Sequence, residues 1–231
     1  MLFYALKMIA DKLEDVKRRI AQSCARSGRR PDDVTLVCVT KQASISSMEE
    51  VLALGVKTFG ENRVQDALVK YRVIGDRAIW HLIGHLQTNK VKDAVRIFSL
   101  IHSVDTVRLA EAIDKEAGKT DKIQDCLIQV NASDEATKFG IASGDTEEFL
   151  KNLSLYHNIS IKGLMTIAPE VSDPEEVRPY FRKLRELRDA INALRTTQYA
   201  VRTLSMGMTN DFEVAIEEGS NMVRIGRAIF R

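Results

Sequence analysis

The 231-residue chain has few cysteines, little net charge and no long apolar run, and each shortage excludes a class of protein. Cys24, Cys38 and Cys126 are odd in number and far apart, which excludes a disulfide framework and a CxxC metal site. The 34 basic and 32 acidic side chains leave a net charge of +2, so no nucleic-acid-binding surface is expected. No apolar run approaches the roughly 20 residues that span a bilayer. We expect a cytoplasmic protein that binds neither nucleic acid nor membrane.

Several sequence signatures are missing as well. No Gly/Ser-rich linker, low-complexity tract or repeat divides the chain, so residues 1–231 are expected to form one domain. The GxGxxG, GxxxxGK[ST] and GxSxG motifs are absent. His81 and His85 are four residues apart, but the glutamate of HExxH is missing, so no metal site is expected. Lys7 interrupts the apolar first ten residues and no cleavage site follows, which argues against a signal peptide.

The apolar pattern predicts strands and helices in alternation. Apolar residues spaced three or four apart predict an N-terminal helix over 8–27. Eight runs typical of buried parallel strands follow, with helix-like segments between them, which predicts a closed (β/α)8 (TIM) barrel. The competing doubly wound open sheet usually has a glycine-rich turn after its first strand, which this chain lacks. The predicted strands are Val34–Thr40, Lys57–Gly60, Ile79–Gly84, Leu100–Val104, Cys126–Asn131, Ile161–Ile167, Val201–Met206 and Asn221–Ile225, and the predicted helices between them span 46–54, 62–71, 89–96, 106–117, 145–153, 174–195 and 210–218.

In a barrel the functional residues lie at the carboxyl ends of the strands, and Lys41 ends the first one. Alternate residues of a strand share a face, so Lys41 lies in register with Thr35, Val37 and Val39. If that face points inward, Lys41 projects into the barrel mouth, where desolvation would lower the pKa of its amine and favour a Schiff base. The alternative is a strand-end lysine that extends to solvent.

The last two predicted strands carry features of an anion site. Ser205 and Gly207 precede a helix that begins near residue 210, a pattern typical of anion binding, although an ordinary capped loop has it too. Arg224 and Gly226 share one face of the last strand. If that face is interior, Arg224 needs an acceptor, either in a ligand or in a carboxylate such as Glu61 or Glu213.

Neighbouring strands of a barrel close the ring, so Lys41, Ser205, Gly207, Arg224 and Gly226 are expected to converge. Two weaker candidates lie after other strands. Asn62 could reach a ligand ring, and Lys138 could attract an anion or be a solvated loop lysine.

The order and spacing of seven segments resemble the pyridoxal-phosphate homeostasis protein family, which is related to the N-terminal barrel of alanine racemases. The resemblance covers about residues 8 to 230, and the segments FGEN, LSMGM and MVRIG are highly specific together. They are VTKQ (39–42), FGENRVQDA (59–67), WHLIGHLQTNK (80–90), SVDT (103–106), KFGI (138–141), GLMTIAP (163–169) and LSMGMTNDFEVAIEEGSNMVRIGRAIF (204–230).

The resemblance implies a single barrel that binds pyridoxal 5′-phosphate (PLP). Lys41 matches the lysine that forms the Schiff base with the cofactor. Ser205, Gly207 and Gly226 match residues at its phosphate. Arg224 matches the arginine that faces the pyridine nitrogen, and Asn62 matches a position that lines the ring.

The chain departs from the family pattern at a few positions. Gln42, Ala43 and Ser44 stand where a second lysine and a proline are usual, His85 replaces a common proline, and Phe139 replaces a small residue. Arg231 stands where a glycine usually follows AIF.

The expected chemistry favours binding over turnover. An arginine can only donate, so Arg224 disfavours the protonated pyridine that makes PLP an electron sink. Racemisation needs a base on each face of the α-carbon, and alanine racemases take the second from a C-terminal domain. This chain ends at Arg231, after its last predicted strand, so only a dimer partner could supply that base.

We therefore expect a PLP carrier or regulator, a monomer or weak dimer that passes PLP to apo-enzymes. The alternatives are a PLP-dependent amino-acid racemase, a lysine-dependent aldolase without PLP and a pure interaction protein. The low net charge implies that phosphate recognition depends on a local site rather than on a basic surface.

Overall fold

The computed structural model describes residues 2–133, 135, 138–194 and 199–231, with side chains from residue 8 onward. Helices and strands alternate along the chain after a long first helix. The strands are β1 (Thr35–Val39), β2 (Thr58–Glu61), β3 (Ile79–Leu82), β4 (Leu100–Val104), β5 (Gln124–Asn131), β6 (Ile141–Ala142), β7 (Ile159–Met165), β8 (Thr203–Ser205) and β9 (Met222–Ile225). The helices are α1 (Leu2–Arg26), α2 (Ile45–Ala53), α3 (Val64–Ile74), α4 (Val91–Ile97), α5 (Val107–Gly118), α6 (Thr146–Leu153), α7 (Arg178–Leu194), α8 (Phe212–Glu217) and α9 (Arg227–Phe230).

Eight parallel strands close into a ring. Their order is β4-β3-β2-β1-β9-β8-β7-β5, and pairing of β4 with β5 completes the circle. The first and last strands of the ring are neighbours, with Val37 opposite Arg224. The predicted (β/α)8 barrel with an added N-terminal helix is confirmed, and the open sheet is excluded.

The strands separate two apolar regions. Side chains that point outward, such as Cys38 and Val223, join the large core between the sheet and the helices. The inward side chains of alternate positions form a smaller cluster inside the ring, to which Val37, Leu127 and Met165 belong. Both faces of these strands are buried, which explains why the sequence pattern is continuously apolar rather than alternating.

The predicted elements differ from the structure mainly at their ends. All eight strands are present, with ends shifted by up to two residues, and the first helix extends back to Leu2. Two short elements were missed, the two-residue β6 that pairs only with β5 and the helical turn α9 after the last strand. The predicted end of the seventh helix at residue 195 lies outside the described residues. No helix in the described part of the chain is long and apolar enough to cross a membrane.

The three cysteines are buried in the described structure and carry free thiols. Burial raises the pKa of the Cys38 and Cys126 thiols, and it also raises that of Cys24. We expect none of the three to react with a thiol reagent in the native protein at neutral pH, because the reactive thiolate is disfavoured and inaccessible. A colorimetric thiol titration should count no thiols before denaturation and three after it. Lys92→Cys, at an exposed position, should add one rapidly reacting thiol, and rapid native labelling of the parent protein would contradict the expectation.

Candidate functional site

A cavity of about 540 Å³ opens at the carboxyl ends of the strands. This is the end of the barrel where the connecting loops carry function in (β/α)8 proteins. Side chains from strands far apart in the sequence meet there because the ring is closed. Residues that line the cavity include Lys41, Asn62, Asn210, Asp211, Arg224 and Gly226.

Lys41 stands at the mouth of this cavity. Val37 and Val39, on the same face of β1, pack inside the barrel, so of the two orientations left open for this face the inward one is observed, and Lys41 lines the cavity. The expectation that it is desolvated is wrong, because its side chain is exposed. Within the described part of the chain, its amine has no hydrogen-bond or ion-pair partner.

Arg224 lies deeper, on the inward face of β9, and only 3% of it is exposed. Its Nη1 donates to the carbonyl of Ser205 at 2.7 Å and to Ser205 Oγ at 2.6 Å, and its Nη2 donates to the carbonyl of Thr166 at 2.8 Å. Burial lowers the pKa of Arg224 to about 10, against the influence of Asp211, so the guanidinium stays charged at neutral pH.

The carboxylate partners considered for Arg224 are wrong. Glu61 pairs with Lys70 at 2.7 Å, and Glu213 pairs with Arg19 at 2.5 Å. The acceptors of Arg224 are instead two backbone carbonyls and a hydroxyl of β8 and the loop after β7. Backbone acceptors leave no trace in the sequence, whereas carboxylates do, so a carboxylate was the protein acceptor that the sequence offered as an alternative to a ligand.

A chain of buried polar side chains continues from Arg224 through the barrel. His102 Nδ1 lies 3.0 Å from Ser205 Oγ, and His102 Nε2 lies 3.1 Å from His81 Nδ1. Because Arg224 can only donate, the Ser205 hydroxyl has an acceptor for its own hydrogen if it donates to His102 Nδ1. His102 then carries its proton on Nε2 and donates to His81.

The two imidazoles are kept neutral. Burial lowers the pKa of His81 to about 4, and burial with the neighbouring His81 and Arg224 lowers that of His102 well below its usual range. The sequence pattern predicts no role for either histidine. Both occupy inward positions of the neighbouring strands β3 and β4, so strand alternation was the available signal.

The residues predicted to lie at the phosphate are found at two depths, in the lining of the cavity and below it. Ser205 is fully buried, and its hydroxyl turns to Arg224 and His102 below the lining of the cavity. Gly226 lines the cavity, together with Thr209 and Asn210 of the loop before α8. Among the described residues, nothing accepts a hydrogen bond from the backbone N–H groups of these three residues. Such unpaired N–H groups are suited to an anion.

Gly207 and Gly226 are required by close packing. Gly207 has φ +93°, and a Cβ there would lie 2.6 Å from Ala215 Cβ and 2.9 Å from Phe212 Cα. A Cβ on Gly226 would lie 2.9 Å from the carbonyl oxygen of Val39, two residues before Lys41. The second glycine therefore lets the end of β9 approach β1 beside the lysine.

The other candidates lie around the rim. Asn62 is half-buried and lines the cavity directly after β2. Lys138 is not among the lining residues, and its Nζ lies 2.6 Å from Glu135 Oε1.

His85 and Phe139, two of the departures from the family pattern, stack on each other with ring centroids 4.3 Å apart. Two separate substitutions along the chain thus form one contact in space.

Comparison with known proteins places this geometry in context. The family model for the alanine racemase N-terminal domain matches residues 12–231. The pyridoxal phosphate homeostasis protein of Aquifex aeolicus is 45% identical over 221 residues, covering 95% of this chain and 96% of that protein. The protein of the same name from Escherichia coli K12 is 36% identical over 227 residues, covering 96% of this chain and 95% of that one.

Two solved structures share the fold of this chain. PipY of Synechococcus elongatus, in a structure described as having PLP bound, superposes with a TM-score of 0.84 at 33% identity, covering 96% of this chain and all of that one. An alanine racemase of Clostridium difficile has a TM-score of 0.75 at 13% identity and covers 96% of this chain, but only 56% of the racemase is matched. The latter similarity concerns the fold alone.

The buried histidine pair predicts a pH dependence of stability. An unfolded His81 takes up a proton below its ordinary pKa of 6.5, whereas the folded one does so only near 4, so stability falls as pH falls through this window. Between pH 7.5 and 5 this amounts to about 2 kcal/mol. Urea unfolding should reveal this slope, and His81→Gln should reduce it without abolishing it, because burial also lowers the pKa of His102 and that residue keeps its own contribution. The control His157→Gln, at an exposed position, should leave the slope unchanged; an equal slope in all three proteins would contradict the prediction.

Gly207→Ala should destabilise the protein. The left-handed backbone and the short contacts of an added Cβ together cost about 2 kcal/mol or more in the free energy of unfolding. Gly144→Ala is the matched control, because a Cβ there meets nothing within 4 Å. Equal unfolding midpoints in urea for the two variants would show that the loop after β8 adapts to a side chain.

Proposed function

Because the chain belongs to the family of pyridoxal phosphate homeostasis proteins, we propose that it binds PLP in the cavity at the barrel mouth, with the aldehyde held on Lys41. To hold the aldehyde, Lys41 Nζ attacks the aldehyde carbon. A C=N bond forms, and the aldehyde oxygen leaves as water. The observation that carries the proposal is the free amine of Lys41 in the same cavity as the buried Arg224.

The residues present fit the cofactor. A volume of about 540 Å³ is in the range of small-molecule sites. The amine of Lys41 suits an aldehyde, and the unpaired N–H groups of Thr209, Asn210 and Gly226 suit a phosphate. Arg224 supplies a donor for the ring nitrogen, as the family resemblance implies. Asn62 lines the same cavity, whereas Ser205 and Gly207 lie outside its lining and support the proposed site, Ser205 by holding Arg224 and Gly207 by packing against Phe212.

The same geometry supports binding with little or no turnover. Bound PLP supplies an electron sink whose strength depends on protonation of its ring nitrogen. Arg224 is a donor without acceptor capacity, so it favours the unprotonated ring. Racemisation needs a second acid–base group facing Lys41. The described residues that line the cavity include no histidine, tyrosine or cysteine, and their carboxylates are Glu170, which is largely exposed, and Asp211, whose Oδ1 accepts from the N–H of Met208.

The exposure of Lys41 fits a carrier. A C=N bond at the mouth can be reached by water or by an amine of a recipient protein. Either can reverse the bond and release the cofactor from Lys41. We propose that the recipients are PLP-dependent apo-enzymes and that the exchange takes place in the cytoplasm, where buried free thiols such as Cys38 and Cys126 stay reduced.

Addition of PLP should produce a visible absorption band, and borohydride should then fix one PLP per chain on Lys41. Mass spectrometry of peptides locates the adduct, and Lys41→Ala should abolish both the band and the adduct. Lys92→Ala, which removes an exposed lysine of α4, is the matched control and should behave like the parent protein.

Two results would overturn the proposal. A parent protein that stays colourless with excess PLP and yields no adduct on Lys41 would exclude binding. Turnover of alanine or serine enantiomers far above that of free PLP, lost in Lys41→Ala, would replace the carrier by a racemase.

A further inference from the structure

A buried ion pair lies beside the cavity without lining it. Glu61 is the last residue of β2 and is fully buried, and Lys70 lies on α3 with 12% of its side chain exposed. Lys70 Nζ is 2.7 Å from Glu61 Oε1. Neither residue belongs to the cavity lining, so the binding chemistry proposed above does not use them.

Both members of the pair hold Thr40. Lys70 Nζ donates to the carbonyl of Thr40 at 2.6 Å, and the Thr40 hydroxyl donates to Glu61 Oε1 at 2.5 Å. The N–H of Thr40 donates to the carbonyl of Gly60 at 3.0 Å. Every polar group of this fully buried residue is therefore engaged, and the next residue is Lys41.

Stability alone is a poor explanation for the pair. Glu61 Oε2 is buried without a hydrogen-bond partner among the described residues. A buried polar atom left unpaired costs free energy, and a buried ion pair often contributes less to stability than apolar residues of the same size. What the pair does provide is a fixed backbone at one position, directly before the lysine.

Lys41 needs such support. β1 ends at Val39, and the amine of Lys41 is exposed on a flexible four-carbon stem. Within the described structure no side chain holds the amine, so the fixed part of the residue is its backbone. Glu61 also directly precedes Asn62, so one carboxylate joins the ends of β1 and β2 at the mouth.

We propose that Glu61 and Lys70 are positioning residues for Lys41: they fix the Thr40 backbone so that the lysine leaves β1 at a constant place over the cavity. This inference rests on the proposed function, because its consequence is efficient capture of the PLP aldehyde. The pair acts through Thr40 and does not touch the ligand.

The test replaces Lys70 by methionine, which keeps the apolar stem and removes the ammonium group. The PLP concentration that half-saturates borohydride-trapped adduct on Lys41 should rise about tenfold. In the unliganded protein, amide hydrogen exchange should accelerate in residues 40–44 and not elsewhere. Thr40→Val, which removes only the hydroxyl, should shift both measurements in the same direction by a smaller factor.

Two controls separate positioning from other effects. Arg72→Met removes a positive charge from the same helix at an exposed residue and should match the parent protein in both measurements. Leu109→Ala, in the buried face of α5, should lower the melting temperature while leaving the half-saturating PLP concentration unchanged.

The outcomes are distinguishable. If the parent protein forms no adduct on Lys41, the proposed function is refuted. If the parent forms the adduct and Lys70→Met has the same half-saturating PLP concentration and the same amide exchange as Arg72→Met, the positioning role alone is refuted. A Lys70→Met variant that resembles Leu109→Ala, with uniformly faster exchange and unchanged PLP capture, also refutes it. If Lys70→Met does not fold, Thr40→Val decides by the same two measurements.

Discussion

The pairing of β1 with β9 is the constraint on which the site depends. Val37 lies opposite Arg224, and Cys38 lies opposite Ile225, so the first and last strands of the ring share hydrogen bonds along their length. Closure brings Lys41 beside Gly226, although nearly the whole chain separates them. An open sheet with the same strands would leave these groups on opposite edges. The lack of a side chain on Gly226 tightens the contact further, because a Cβ would reach the carbonyl of Val39.

Inside the described barrel, the positive charge of Arg224 is held by neutral hydrogen-bond acceptors. Arg224 is held by two carbonyls and the Ser205 hydroxyl, and the histidines behind Ser205 are kept neutral by burial. A protonated His102 would place a second cation next to the guanidinium in a medium of low dielectric constant. The neutral pair thus lets Arg224 keep its charge and its orientation over the physiological pH range.

The sequence was sufficient for the barrel because both faces of each strand are buried. Continuous apolar runs located all eight strands of the ring, and alternation along β1 placed Lys41 on the face of Val37 and Val39, which turns inward in the structure. The missed elements, β6 and α9, have two and four residues, too few for any periodicity. The backbone acceptors of Arg224 could not be predicted, because carbonyls leave no trace in the sequence, and the carboxylates considered as an alternative to a ligand bind elsewhere.

The positions of the charged groups explain how Lys41 can be exposed at its amine and held at the backbone that precedes it. Desolvation would have made Lys41 reactive but enclosed, a design suited to catalysis within a sealed site. In the structure its amine is open to solvent, and order is supplied instead through the backbone, by the ion pair of Glu61 and Lys70 behind Thr40. A reactive group fixed at its base and free at its tip can form a C=N bond with an aldehyde and still give it up. In the proposed carrier, that combination separates holding the cofactor from using it, which distinguishes it from an enzyme built on the same barrel.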